Sequence, residues 1–109
     1  MTNMELKIIS ERYMKFSARA KDMGYISPIL NPVISMKYIA DCIEAGHKLI
    51  GISGFYHFRD GKIQPDQRFE LDITDYRHEE EFLNEVGKII FSQLYKDVVF
   101  EIAFEEVAG

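Results

Sequence analysis

Residues 49–73 hold two strand-like runs that meet at Asp60-Gly61, and that dipeptide restricts the fold more than any other feature of the chain. Asp-Gly between apolar alternations specifies a two-residue β-hairpin, because glycine accepts the positive φ that such turns require. With those two residues at the tip, Arg59 faces Lys62, and the ladder runs back through Phe58–Ile63, Ile52–Phe69 and Ile50–Leu71. Side chains alternate along a strand, so these apolar pairs share one face. The other face then carries Asp66, Arg68, Glu70 and Asp72 across from His57, Phe55 and Ser53. A ribbon with one apolar and one largely acidic side belongs to a sheet covered on one face. Pro65 cannot donate to a ladder, so the second arm is predicted to lie at an edge or to be irregular near residues 65–66. Beyond that point the pairing can slip by a bulge.

Helices fill much of the remaining chain. Leu6, Ile9, Tyr13, Phe16, Ala20 and Met23 recur at spacings of three and four, the apolar stripe of a helix over residues 4–23. Thr2 or Asn3 is placed to cap it and Gly24 to end it. Residues 25–30 read as a connector held by Pro28. Asn31-Pro32 supplies an N-cap followed by proline at the first helical position, where a missing N–H costs nothing. Met36, Ile39, Ala40 and Ile43 give the second helix its apolar stripe, and Gly46 is its stop. Thr74 or Asp75 is placed to cap a third helix, with Glu79, Glu80 and Glu81 where the helix dipole favours anions. Its buried stripe is Phe82, Val86, Ile89, Ile90 and Leu94. A final strand places Val98, Phe100, Ile102 and Phe104 on one face and Glu101 and Glu105 on the other. The order α-α-β-β-α-β predicts one α+β domain over residues 1–109, a small, mainly antiparallel sheet with helices on one face. Glu70, Asp72, Glu101 and Glu105 then gather on the uncovered face.

Charge narrows the choice of partner. The formal net charge of -5 argues against nucleic acid as a direct ligand, and the acids concentrate after residue 59, where they attract a partner of opposite sign. A lone cysteine, Cys42, allows neither an internal disulfide nor a cysteine metal cluster. With no long apolar run in the first thirty residues, a cytoplasmic protein without a membrane span is expected.

No catalytic set stands out. His47, His57 and His78 are scattered, and Arg77-His78-Glu79-Glu80-Glu81 lacks a second histidine one helical turn away, so no metal site is expected. Cys42 lies near the apolar stripe of the second helix and reads as a buried structural thiol. Gly51 and Gly54 lie within a strand, where they permit a bulge or a close backbone approach rather than a phosphate-binding loop. Phe55, on the polar face among acids, has the character of an interface anchor, or else is covered by the first helix. Candidate partner-binding residues are therefore Phe55, Tyr56, His57, Asp66, Glu70, Asp72, Glu101 and Glu105. The acidic start of the third helix is a second candidate contact.

The segment Gly54-Phe55-Tyr56-His57-Phe58-Arg59-Asp60-Gly61-Lys62-Ile63-Gln64-Pro65, with Val99-Phe100-Glu101-Ile102, resembles bacterial immunity proteins of polymorphic and contact-dependent growth-inhibition toxin systems. The resemblance implies a non-enzymatic, cofactor-free cytoplasmic inhibitor, monomeric when free, that neutralises a cognate toxin domain, a ribonuclease or other basic nuclease. A rival expectation is a small ligand-binding domain or enzyme with its site around His57. Self-association through the edge of the last strand is also open.

Overall fold

A computed structural model of the chain describes residues 5–18 and 27–105. These residues form helix α1 (Leu6–Tyr13), a 3₁₀ turn (Met14–Phe16), strand β1 (Ile29–Leu30), helix α2 (Pro32–Glu44), strands β2 (Lys48–His57) and β3 (Ile63–Asp72), a second 3₁₀ turn (Ile73–Asp75), helix α3 (Glu79–Ser92) and strand β4 (Val98–Glu105). The fold is α+β, and its longer elements follow the predicted order. The described strands make one antiparallel sheet in the order β1-β4-β2-β3. The last strand is thus interior, with β1 along part of its outer edge, and β3 is an edge strand. The two-residue β1 falls in the stretch read as a connector, being too short to display alternation.

The hairpin differs from its prediction in two places. Its loop has three residues: the Phe58 N–H donates to the Lys62 carbonyl at 2.8 Å and the Gly61 N–H to the Phe58 carbonyl at 3.0 Å. Gly61 takes φ +89°, and the Asp60 carboxylate accepts from the Lys62 N–H at 3.0 Å. The extra loop residue pairs Ile63 with His57 instead of Phe58. Further along, Gly54 pairs with Asp66 and Ile52 with Leu71, so β3 contributes four residues against Ser53 alone. Asp66 nucleates this bulge by accepting from the Arg68 N–H at 3.0 Å. Gly54 is required by the bulge, since a Cβ there would collide with the Cβ of Phe69. A second bulge, at Ile50, interrupts β2 against β4.

Helices α1, α2 and α3 all pack on the sheet face that carries Leu49, Ile52, Val98, Phe100 and Ile102. The predicted caps of α2 are in place. Asn31 Oδ1 accepts from the Ile34 N–H at 2.9 Å, and Pro32 is the first helical residue. Gly46 at φ +95° lets its N–H reach the Ile43 carbonyl and the His47 N–H reach the Cys42 carbonyl, a Schellman end.

The phase of α2 is not as predicted. Ser35, Tyr38 and Cys42 face the sheet, while Met36, Ala40 and Ile43 are exposed. Polar atoms on the buried side find local partners: the Ser35 hydroxyl donates to the Leu30 carbonyl at 3.0 Å, and the Tyr38 ring lies 5.0 Å from that of Tyr13. Cys42 is a fully buried thiol, its pKa pushed up to about 12 by burial.

Helix α1 is shorter than its apolar stripe. After Phe16 the chain turns extended, and Ser17 and Ala18 exchange hydrogen bonds with Ile29 instead of continuing the helix. Thr2, Asn3, Ala20, Met23 and Gly24 lie outside the described residues. Helix α3 starts after His78, because Thr74 and Asp75 are taken up by the 3₁₀ turn that Asp72 caps.

Candidate functional site: the outer face of the sheet

The sheet face opposite the helices divides into two regions. At one end Phe55, Val99 and Ile29 form a small apolar cluster with Ala18 and Ile63 packed against it. At the other end the outward positions are small. Gly51, Ser53 and Ala103 leave an open depression of about 730 Å³ instead of a packed surface. Its walls come from β3, β4 and the 3₁₀ turn. Glu70, Asp72, Glu101 and Glu105 all line it, so strand periodicity joins carboxylates that the sequence separates by up to 35 positions.

Each carboxylate sits there for a different local reason. Glu101 lies opposite Ser53 on one side and Ile29 on the other. Burial against them holds its pKa above the ordinary glutamate value. Asp72 ends β3 and accepts from the Thr74 N–H at 2.9 Å and the Thr74 hydroxyl at 2.8 Å, bonds that hold its pKa below the usual carboxylate range. Glu70 and Glu105 are exposed outward positions of β3 and β4. Among the described residues none of Glu70, Glu101 and Glu105 has an ion-pair partner within 4.0 Å. Lys48, opposite Glu105 in the β2–β4 ladder, is the neighbouring basic residue. Carboxylates gathered in this way have the chemistry to accept guanidinium or ammonium groups, whose approach would relieve their mutual repulsion and the desolvation of Glu101.

The other candidate residues do not join this group. Phe55 does face outward but is only 8 % exposed, because Ile29 and Val99 flank it, so it is no free anchor. Asp66 is not on the outer face: it pairs with Gly54, whose side-chain direction leads to Phe69 and Phe100 in the core layer. Its carboxylate is bound by the Arg68 guanidinium at 2.7 Å, which holds its pKa low. Tyr56 and His57 lie at the far end of β2. Tyr56 is exposed and stacks edge-on with Phe58 at 4.7 Å. The His57 N–H donates to the Asp97 carbonyl at 2.8 Å. With Arg59, Asp60 and Asp97 these residues border a separate open depression of about 790 Å³.

Sequence reasoning missed the residues that make the acidic hollow concave. Its available signal was small residues at alternate positions, Gly51 and Ser53 on β2 with Ala103 on β4. Among the described residues no three of His, Cys, Asp and Glu converge as metal ligands, and no helix is long and apolar enough to cross a membrane. No family model, curated protein or solved structure matches the chain.

Proposed function

We propose that this protein is a cytoplasmic, non-enzymatic immunity protein that neutralises a cognate toxin domain, a basic nuclease, through the acidic outer face of its sheet. The observation that supports this reading is the convergence of Glu70, Asp72, Glu101 and Glu105 on one open hollow, where Glu70, Glu101 and Glu105 have no ion-pair partner within 4.0 Å among the described residues. Lysines and arginines that a nuclease uses to hold phosphates have the charge and reach to enter such a hollow, and their capture blocks the substrate. Complementary charge raises encounter rates toward ~10⁸–10⁹ M⁻¹s⁻¹ at low salt. The inhibitor requires no cofactor and no catalytic group of its own.

The test is to identify the protein that co-purifies with this one and to co-express the two, read as cell growth and as nucleic-acid cleavage by the purified pair. The double variant Glu70→Lys/Glu105→Lys leaves the Asp72 cap intact. It is expected to fold, to lose protection and to release the nuclease. A folded double variant that still protects removes this face from the contact.

A further inference from the structure

The helical layer carries an interaction surface that the acidic hollow does not use. Because α2 turns Ser35, Tyr38 and Cys42 toward the sheet, its apolar residues Met36, Ile39 and Ile43 are left along the boundary with α3. There they meet Leu83, Gly87 and Ile90 across a groove of about 220 Å³. Val33 and Phe91, 57 % and 64 % exposed, extend the apolar surface beyond it.

Gly87 is the informative residue. Glycine is the least favourable residue after proline in a helix interior, yet Gly87 lies in the middle of α3. A Cβ there would meet nothing within 4 Å, so no contact inside the described chain demands its absence. On α2 the small, exposed Ala40 lies between Met36 and Ile43, which line the groove. A glycine on the wall of an apolar trough, with open space where a Cβ would stand, allows another backbone to approach closely. The charged residues of the two helices are mostly acidic: Glu44 follows Ala40 by one turn, and Glu80 precedes Gly87 by two. Of the two lysines on these helices, Lys88 is engaged by Glu85 at 3.5 Å, and the exposed Lys37 lies two turns before Glu44.

We propose that this groove seats an amphipathic helix of another protein whose apolar stripe is flanked by lysines or arginines. A helix is required because the walls are themselves helices and offer no backbone partners, so the occupant must satisfy its own N–H and C=O groups. A basic helix complements Glu44 and Glu80, whereas a second copy of this chain would bring the same acids against them.

The probe is a fluorescein-labelled leucine/lysine peptide with leucines at i, i+3 and i+7, compared by anisotropy with an isomer whose leucines are spread around the helix. The intact protein is expected to bind the amphipathic peptide at least about tenfold more tightly than the isomer. Gly87→Trp, which fills the trough, should lose about tenfold. Glu44→Lys/Glu80→Lys, on the surface and no threat to folding, should do the same. Glu70→Lys/Glu105→Lys, on the opposite face, should bind the peptide as the parent does, which separates this site from the proposed toxin contact. Equal binding of both peptides, or retention by the folded Glu44→Lys/Glu80→Lys variant, overturns the proposal. Sedimentation showing a dimer that Gly87→Trp dissociates would replace the basic helix with a second copy.

Discussion

At Glu101 the sheet holds a carboxylate where folding and binding favour opposite charge states. Burial between Ser53 and Ile29 raises its pKa in the folded protein above the unfolded value. Its ionised form therefore subtracts stability at neutral pH, and that deficit disappears as pH falls through the folded pKa. Asp72 has the reverse sign: its pKa is lowered by the Thr74 bonds, so its contribution is present above the unfolded aspartate value and is lost as pH falls below it. Glu101→Gln is thus expected to raise the Tm at pH 7 while weakening capture of a cationic partner, a pairing that simple loss of structure would not produce. In the parent, affinity for that partner should begin to decline on acidification above the ordinary glutamate range. Calorimetric scans and binding isotherms across pH 4–7 check both signs. The two helix-side glycines make a second contrast. Gly54→Ala forces a Cβ into Phe69 and should cost about 1–3 kcal/mol. Gly87→Ala enters open space and should gain up to about 1 kcal/mol through helix propensity. Urea unfolding of both variants measures the difference.

Element by element, what the sequence discloses depends on whether the deciding interaction is local. The ends of α2 were readable because Asn31, Pro32 and Gly46 act within a few residues of themselves. Its phase was not, since hydropathy ranks Met36 and Ile43 above Ser35 and Tyr38; only Cys42, expected as a buried thiol, was assigned to the correct side. The Leu30 carbonyl and the Tyr13 ring that make the polar side tolerable come from other elements. The two irregularities of the hairpin explain why the acidic face was legible although the register was not. One extra loop residue reverses which face β3 presents, and three unmatched residues at the bulge reverse it again. Asp72, beyond both, and Glu70, the last residue of the bulge, keep the outward positions that uninterrupted alternation assigns them, while Asp66 lies between the two irregularities and changes sides. The α2 phase can be tested directly. Tyr38→Ala opens a cavity beside Tyr13 and Phe104 and should cost about 3 kcal/mol or more. Ile43→Ala, at a residue 44 % exposed, should cost less than about 1 kcal/mol. Similar losses at the two sites would contradict the observed orientation.

Over the whole molecule the sheet separates two kinds of surface. The helical side presents an apolar trough, and the outer side presents a hollow lined by four carboxylates. This separation makes the inhibitor reading testable by improvement as well as by damage. Lys48 stands opposite Glu105 at the end of the β2–β4 ladder, exposed and without an ion-pair partner within 4.0 Å among the described residues. Its charge offsets the field at the mouth of the hollow while contributing little to the fold. Lys48→Glu is therefore expected to leave the Tm within a few degrees of the parent and to speed association with the basic toxin domain severalfold at low ionic strength. The gain should shrink as salt shortens the screening length toward ~8 Å at physiological strength. Dissociation should change less, because a rim charge acts mainly on encounter. Stopped-flow association at two salt concentrations decides the matter. A misfolded variant cannot bind faster than its parent, so acceleration at low salt would trace the approach of the partner to this face. An unchanged rate would mean that the toxin domain reaches the protein from elsewhere.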